Sequence, residues 1–152
     1  MASIQPGDRA PDFTLTDQHG QPVTLSAVLE KSAVVLFFYP KDDTPVCTRE
    51  ACAFRDAYDD FVEAGATVIG ISSDKTASHR RFADKHGLQF TLVSDTTGSV
   101  RAAYRVPKTL FVLPGRTTFV INRSGIVQLA FTNARNGEQH VKEALATLQR
   151  GA

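Results

Sequence analysis

Tryptophan is absent from this chain of 152 residues, methionine occurs once and cysteine only twice. Two cysteines do not make the framework of a small disulfide-stapled secreted domain, and a chain of this length buries about 70% of its surface without staples. Both thiols are therefore available for chemistry. Long apolar runs are also missing. The longest, Ala33 to Tyr39, falls well short of the ~20 residues that cross a bilayer. Met1 to Ala10 lacks the charged start and apolar centre of a secretory signal, so the expected location is the cytoplasm, where thiols are kept reduced. No sign of charge dominates: 17 Lys and Arg face 16 Asp and Glu, for a net charge of +1. These charges are interleaved, with no basic stripe to displace counterions from a nucleic acid. Glycine-rich phosphate or dinucleotide loops do not occur, and Ser124-Gly125 reads as a turn. His19, His79, His86 and His140 show no ligand spacing, and two cysteines alone do not complete a zinc site, so neither metal nor cofactor is expected.

What the chain does have is alternation. Segments rich in β-branched and aromatic residues, predicted as strands, run over Asp12 to Thr16, Ala33 to Phe38, Thr67 to Ser72, Phe90 to Val93, Thr117 to Ile121 and Ile126 to Phe131. The second and third are almost continuously apolar, as strands covered on both faces must be, and should be central. Helices are predicted over Thr48 to Ala64, Ala77 to His86, Ser99 to Tyr104 and Glu138 to Gln149, the first two closed by Gly65 and Gly87. In the first helix Phe54, Ala57, Tyr58, Phe61 and Val62 form one apolar stripe. The pattern is α/β, and the short link Asn122 to Gly125 predicts a late antiparallel hairpin in a mixed sheet. With no repeat or linker, residues 1–152 read as one domain.

Chemistry concentrates in Tyr39 to Cys52, after the carboxyl end of a buried strand and at the start of a long helix, where open α/β sheets bind ligands. Pro45 keeps Thr44 out of helical geometry, which places the helix start near Val46 or Cys47. Cys47 then lies in the first turn, where unpaired backbone N–H groups and the helix dipole favour a thiolate. Cys52 follows five residues on. Across five residues of intact helix the Cα atoms stand roughly 8 to 9 Å apart, from a rise of about 1.5 Å and a radius of about 2.3 Å. A disulfide needs less than about 7 Å. The two thiols cannot join while the helix is formed. Lys41, Asp42 and Asp43 read as a solvated loop, and Phe82, Leu88 and Phe90 as core.

Pro40-Lys41-Asp42-Asp43-Thr44-Pro45-Val46-Cys47-Thr48 resembles the active-site pattern of the peroxiredoxins. Phe38-Tyr39-Pro40, the second cysteine in the same helix, and Leu113-Pro114-Gly115-Arg116-Thr117-Thr118-Phe119-Val120-Ile121 are similar to the bacterioferritin-comigratory or Q-type subfamily. The likeness covers about Gly7 to Leu148; Asn122 departs from it, standing where aspartate is common. The resemblance implies an elaborated thioredoxin fold, a central mixed sheet flanked by helices, with an N-terminal strand pair around Phe13 and Val23. It implies a thiol peroxidase that acts on hydroperoxides, is recycled by thioredoxin and works as a monomer. Cys47 becomes the peroxidatic residue and Cys52 the resolving one, joined by a disulfide once the helix start unwinds. Thr44 places a hydroxyl on the peroxide, Pro40 shields the pocket, Arg116 reaches in from a strand start, and Glu50 orients the arginine or merely stabilises the helix start.

Three rival functions carry distinct expectations. A non-enzymatic redox sensor would turn over peroxide no faster than a free thiol. A thioredoxin-type reductase usually spaces its cysteines by two residues, against four here. A cysteine hydrolase would need a histidine placed by motif near Cys47, which is lacking.

Overall fold

The computed structural model describes residues 4–39, 42, 45–106, 117–132 and 137–150, without the side chains at 45–47 and 137. Its centre is the apolar strand β3 (Ala33–Phe38), followed in the chain by helices α2 (Pro45–Asp56) and α3 (Tyr58–Glu63) and then by β4 (Ala66–Ser72). Ahead of these come β1 (Thr14–Asp17), β2 (Pro22–Thr24) and α1 (Leu25–Leu29). After them come α4 (Thr76–His86), β5 (Thr91–Ser94), α5 (Ser99–Ala103), β6 (Thr117–Ile121), β7 (Val127–Thr132) and α6 (Gly137–Arg150). The strands form one seven-stranded sheet in the order β2-β1-β5-β4-β3-β6-β7. β3, β4 and β5 are parallel neighbours, and all other pairings are antiparallel, so the sheet is mixed. β3 and β4 lie at its middle, as their unbroken apolar character requires.

Alternation along β3 divides the core in two. Val34, Leu36 and Phe38 enter a cluster with Leu25, Leu29, Val100, Tyr104 and Phe119 on one face. Val35, Phe37 and Tyr39 point the other way, into a cluster with Phe54, Phe61, Phe82 and Val141. Helices α2, α3, α4 and α6 cover that second face, because each lays an apolar stripe on it. The mixed sheet flanked by helices is the elaborated thioredoxin fold. The expected N-terminal pair is present, with Leu15 opposite Val23, and Phe82, Leu88 and Phe90 are core.

Three expectations need revision. The helix predicted over Thr48 to Ala64 breaks at Ala57, whose backbone turns to φ −94°, ψ 8°. Hydrogen bonds continue through the break, from Ala57 N–H to Ala53 and from Phe61 N–H to Ala57. The change of direction brings Phe61 against Phe54, ring centroids 5.6 Å apart and both fully buried. Val62 leaves the stripe and is 53% exposed. Helix α1 was not predicted: it is five residues long, too short for periodicity to register. Its start is held by Asp12, whose Oδ1 accepts the Ser26 N–H at 2.9 Å. Gly87 ends α4 as expected, in left-handed geometry, φ 62°, where a Cβ would be strained.

Candidate active site

Parallel strands β3, β4 and β5 deliver their carboxyl ends side by side, and the chain leaves β3 at Tyr39, whose N–H still pairs with the Ile71 carbonyl at 3.0 Å. Helix α2 begins at Pro45. Cys47 is thus the third residue of α2, at the end where backbone N–H groups lack helical partners. Pro40, Thr44 and Arg116 lie outside the described residues, as does the Cys47 side chain. Both cysteine positions fall within one unbroken helix, and Cys52 is a free, half-buried thiol.

Cys52 does not point into the sheet. It lines a groove of about 800 Å³ between α2 and α6, whose charged rim includes Arg49, Asp56, Asp60, Glu138 and Lys142. Glu50, two residues earlier, faces the opposite way and is fully buried. Its Oε2 lies 3.6 Å from His140 Nδ1 of α6, and that nitrogen is 2.7 Å from the Thr118 hydroxyl of β6. Counted from Pro45, Glu50 sits in the second turn; the first turn holds no acid. A solvated helix-start carboxylate is therefore the wrong description of it.

Asp42 departs from the solvated-loop expectation, whose other residues, Lys41 and Asp43, lie outside the described residues. It is 6% exposed because four hydrogen bonds hold it down. Its Oδ1 accepts the Tyr39 hydroxyl at 2.5 Å. Its Oδ2 lies 2.8 Å from both the Ser78 hydroxyl and His79 Nδ1 at the start of α4. Its N–H donates to Asp74 Oδ2 at 2.6 Å. Burial, and then the Asp42 carboxylate, push the Tyr39 phenol well above its ordinary pKa, so Tyr39 stays a donor. Arg101 of α5 donates to the Tyr39 carbonyl at 3.5 Å, and burial lowers the pKa of its guanidinium. Nothing in the sequence spacing signals this cluster, since Asp42 and His79 are 37 positions apart.

Asp42, Asp74 and His79 bring potential metal-ligand atoms within 4.8 Å of one another. Those atoms already hold the protein's own donors, from Tyr39, Ser72, Ser78 and the Asp42 amide. The arrangement is that of a hydrogen-bonded anchor, which a cation would have to displace.

A cysteine at the start of a helix that follows the central strand of this sheet defines a thiol-redox protein of the thioredoxin fold. The AhpC/TSA family pattern matches residues 6–130. Peroxiredoxin Q of Sedum lineare, a chloroplast protein, is 50% identical over 98% of this chain and 80% of its own length. The chloroplastic peroxiredoxin Q of Arabidopsis thaliana is 51% identical over 98% of this chain and 69% of its own. Among solved structures, peroxidoxin BcpB of Mycobacterium tuberculosis superposes with a TM-score of 0.91 at 39% identity, covering 97% of both chains. The chain belongs to the AhpC/TSA family, and within it to the peroxiredoxin Q or bacterioferritin-comigratory type; it is a thiol peroxidase.

The cytoplasmic expectation is withdrawn. Eight curated relatives at 48–51% identity are all chloroplastic. That expectation rested on Met1 to Ala10, and the chain covers only 67–80% of these relatives' length, so those residues do not decide a location. Among the described residues no helix is long and apolar enough to cross a membrane.

Proposed function

We propose that Cys47 is the peroxidatic residue, Cys52 the resolving residue, and a thioredoxin-like dithiol the reductant of a hydroperoxide reductase. The observation that carries this reading is the placement of Cys47 as third residue of α2, directly beyond the central strand. Helix N–H groups and dipole stabilise the thiolate there. The thiolate attacks the distal peroxide oxygen, the O–O bond breaks, and the departing alkoxide or hydroxide takes a proton and leaves as alcohol or water. Cys47 becomes a sulfenic acid. Thr44 hydrogen-bonds the peroxide, Arg116 stabilises charge on the leaving oxygen, Pro40 shields the pocket, and Glu50 orients the arginine from within the core.

Cys52 then condenses with the sulfenic acid, releasing water and forming the disulfide. The helical spacing forbids this until the first turns of α2 unwind. Exposure of Cys52 in the groove beside α6 supports attack by an external dithiol there, which returns both thiols.

Stopped-flow oxidation of the reduced protein by hydrogen peroxide, with intact mass as the readout of disulfide formation, tests the assignment. Wild type should lose both thiols rapidly and Cys47→Ser should not react. Oxidation of wild type at the rate of an ordinary thiol would sink it and favour the sensor.

A further inference from the structure

Two atoms that can both act as acceptors face each other at 2.8 Å beneath the loop, His79 Nδ1 and Asp42 Oδ2. The other ring nitrogen settles where protons must be. Nε2 lies 3.0 Å from the Val93 carbonyl of β5, and a carbonyl only accepts, so Nε2 carries a hydrogen. A neutral imidazole then has none left for Nδ1, and an ionised carboxylate has none to give. The remaining partners do not supply it. Ser78 donates to Oδ2, and the Tyr39 hydroxyl donates to Oδ1 at 2.5 Å, its contact with Nδ1 being the longer at 3.3 Å. One further proton therefore sits between Nδ1 and Oδ2. Whichever atom holds it, the pair is neutral overall, and its side chains are only 0% and 3% exposed, so water does not replace the bond.

Two charged groups and a backbone carbonyl surround the pair. Asp74, beyond β4, accepts the Asp42 N–H and the Ser72 hydroxyl. Arg101 reaches the Tyr39 carbonyl from α5, and β5 offers the Val93 carbonyl. Asp42 is two positions before Thr44 and five before Cys47.

We propose that Asp42 and His79 are positioning residues for the peroxide reaction, a buried pair sharing one proton that fixes Asp42, five residues before Cys47, to α4 and β5. The inference rests on the reading of Cys47 as the peroxide-reactive thiol. The clamp holds Asp42 in place while the helix start unwinds and re-forms, so it governs oxidation and not reduction of the disulfide.

The test combines Asp42→Ala and Asp42→Asn with two half-reactions: oxidation by hydrogen peroxide, and reduction of the preformed disulfide by dithiothreitol. Asp42→Ala should slow oxidation about 10- to 100-fold, the scale set by a small misplacement of reacting groups, and leave reduction unchanged. Asp42→Asn should recover most of the oxidation rate, because its amide N–H can donate to a neutral Nδ1. In wild type carrying 15N-labelled histidine, a low-field proton should couple His79 to Asp42, and Asp42→Asn should lose it. Oxidation of Asp42→Ala at the wild-type rate, or an equal slowing of both half-reactions, would overturn the positioning role. Absence of the low-field proton in wild type would overturn the shared proton, whether or not the variants fold. Wild type oxidising no faster than a free thiol would instead overturn the reading of Cys47 and the clamp's purpose with it, the proton signal telling the two failures apart.

Discussion

The two cysteines share a helix but not an environment. Cys47 belongs to the loop end of α2, while Cys52 opens onto the groove beside α6. On the proposed roles, loss of Cys52 removes the trap and not the attack: in Cys52→Ser the sulfenic acid should form at the wild-type rate, then persist or over-oxidise. Mass spectrometry should find sulfenic and sulfinic adducts at Cys47, with thioredoxin-dependent turnover falling at least about tenfold; undiminished turnover would remove Cys52 from the cycle. The tyrosines make a second prediction. Burial first, then Asp42, raises the Tyr39 phenol, and burial first, then Asp12, raises that of Tyr104. Unfolding returns both to about 10. The folded chain thus keeps protons that the unfolded chain releases, and the stabilisation is complete below about pH 10 and lost as pH rises through the raised values. The urea midpoint should fall as pH rises above about 10, a fall that Tyr39→Phe should reduce. Cys47 was legible because its surroundings are contiguous in sequence. His79 was not, because only the folded sheet brings it to Asp42.

Helix α2 is held unevenly along its length. Glu50, Ala51 and Phe54 are buried, and Phe54 stacks on Phe37 with ring centroids 4.4 Å apart at 11°. Extracting a core phenylalanine costs about 3–5 kcal/mol, so unwinding should stop short of Phe54. Amide exchange compared between reduced and disulfide forms should show protection lost from Val46 to Cys52 and kept from Phe54 onward. Equal protection in both forms would exclude unwinding. Elements were legible in proportion to their length and two-sided burial. β3 and β4 announce themselves by continuous apolar residues. Helix α1 is shorter than two turns and depends on Asp12 from outside it, and the break at Ala57 answers to the packing of Phe61 on Phe54, which no local pattern encodes.

Across the whole molecule, two core layers meet through the sheet, and at one point the sheet has no thickness to spare. A Cβ on Gly70 of β4 would lie 2.7 Å from Phe37 Cζ and 2.8 Å from Leu92 Cδ2. Gly70→Ala should cost about 1–3 kcal/mol by overpacking, read as a lower urea midpoint with an unchanged slope. A neutral result would mean that Phe37 and Leu92 both have room to move. Phe37 is also the ring on which Phe54 of α2 rests and beside which Tyr39 stacks at 5.6 Å. Change at position 70 is consequently coupled to positions 37 and 92: a larger residue at 70 needs room from both side chains. Any lineage making that exchange also reshapes the surface on which α2 rests.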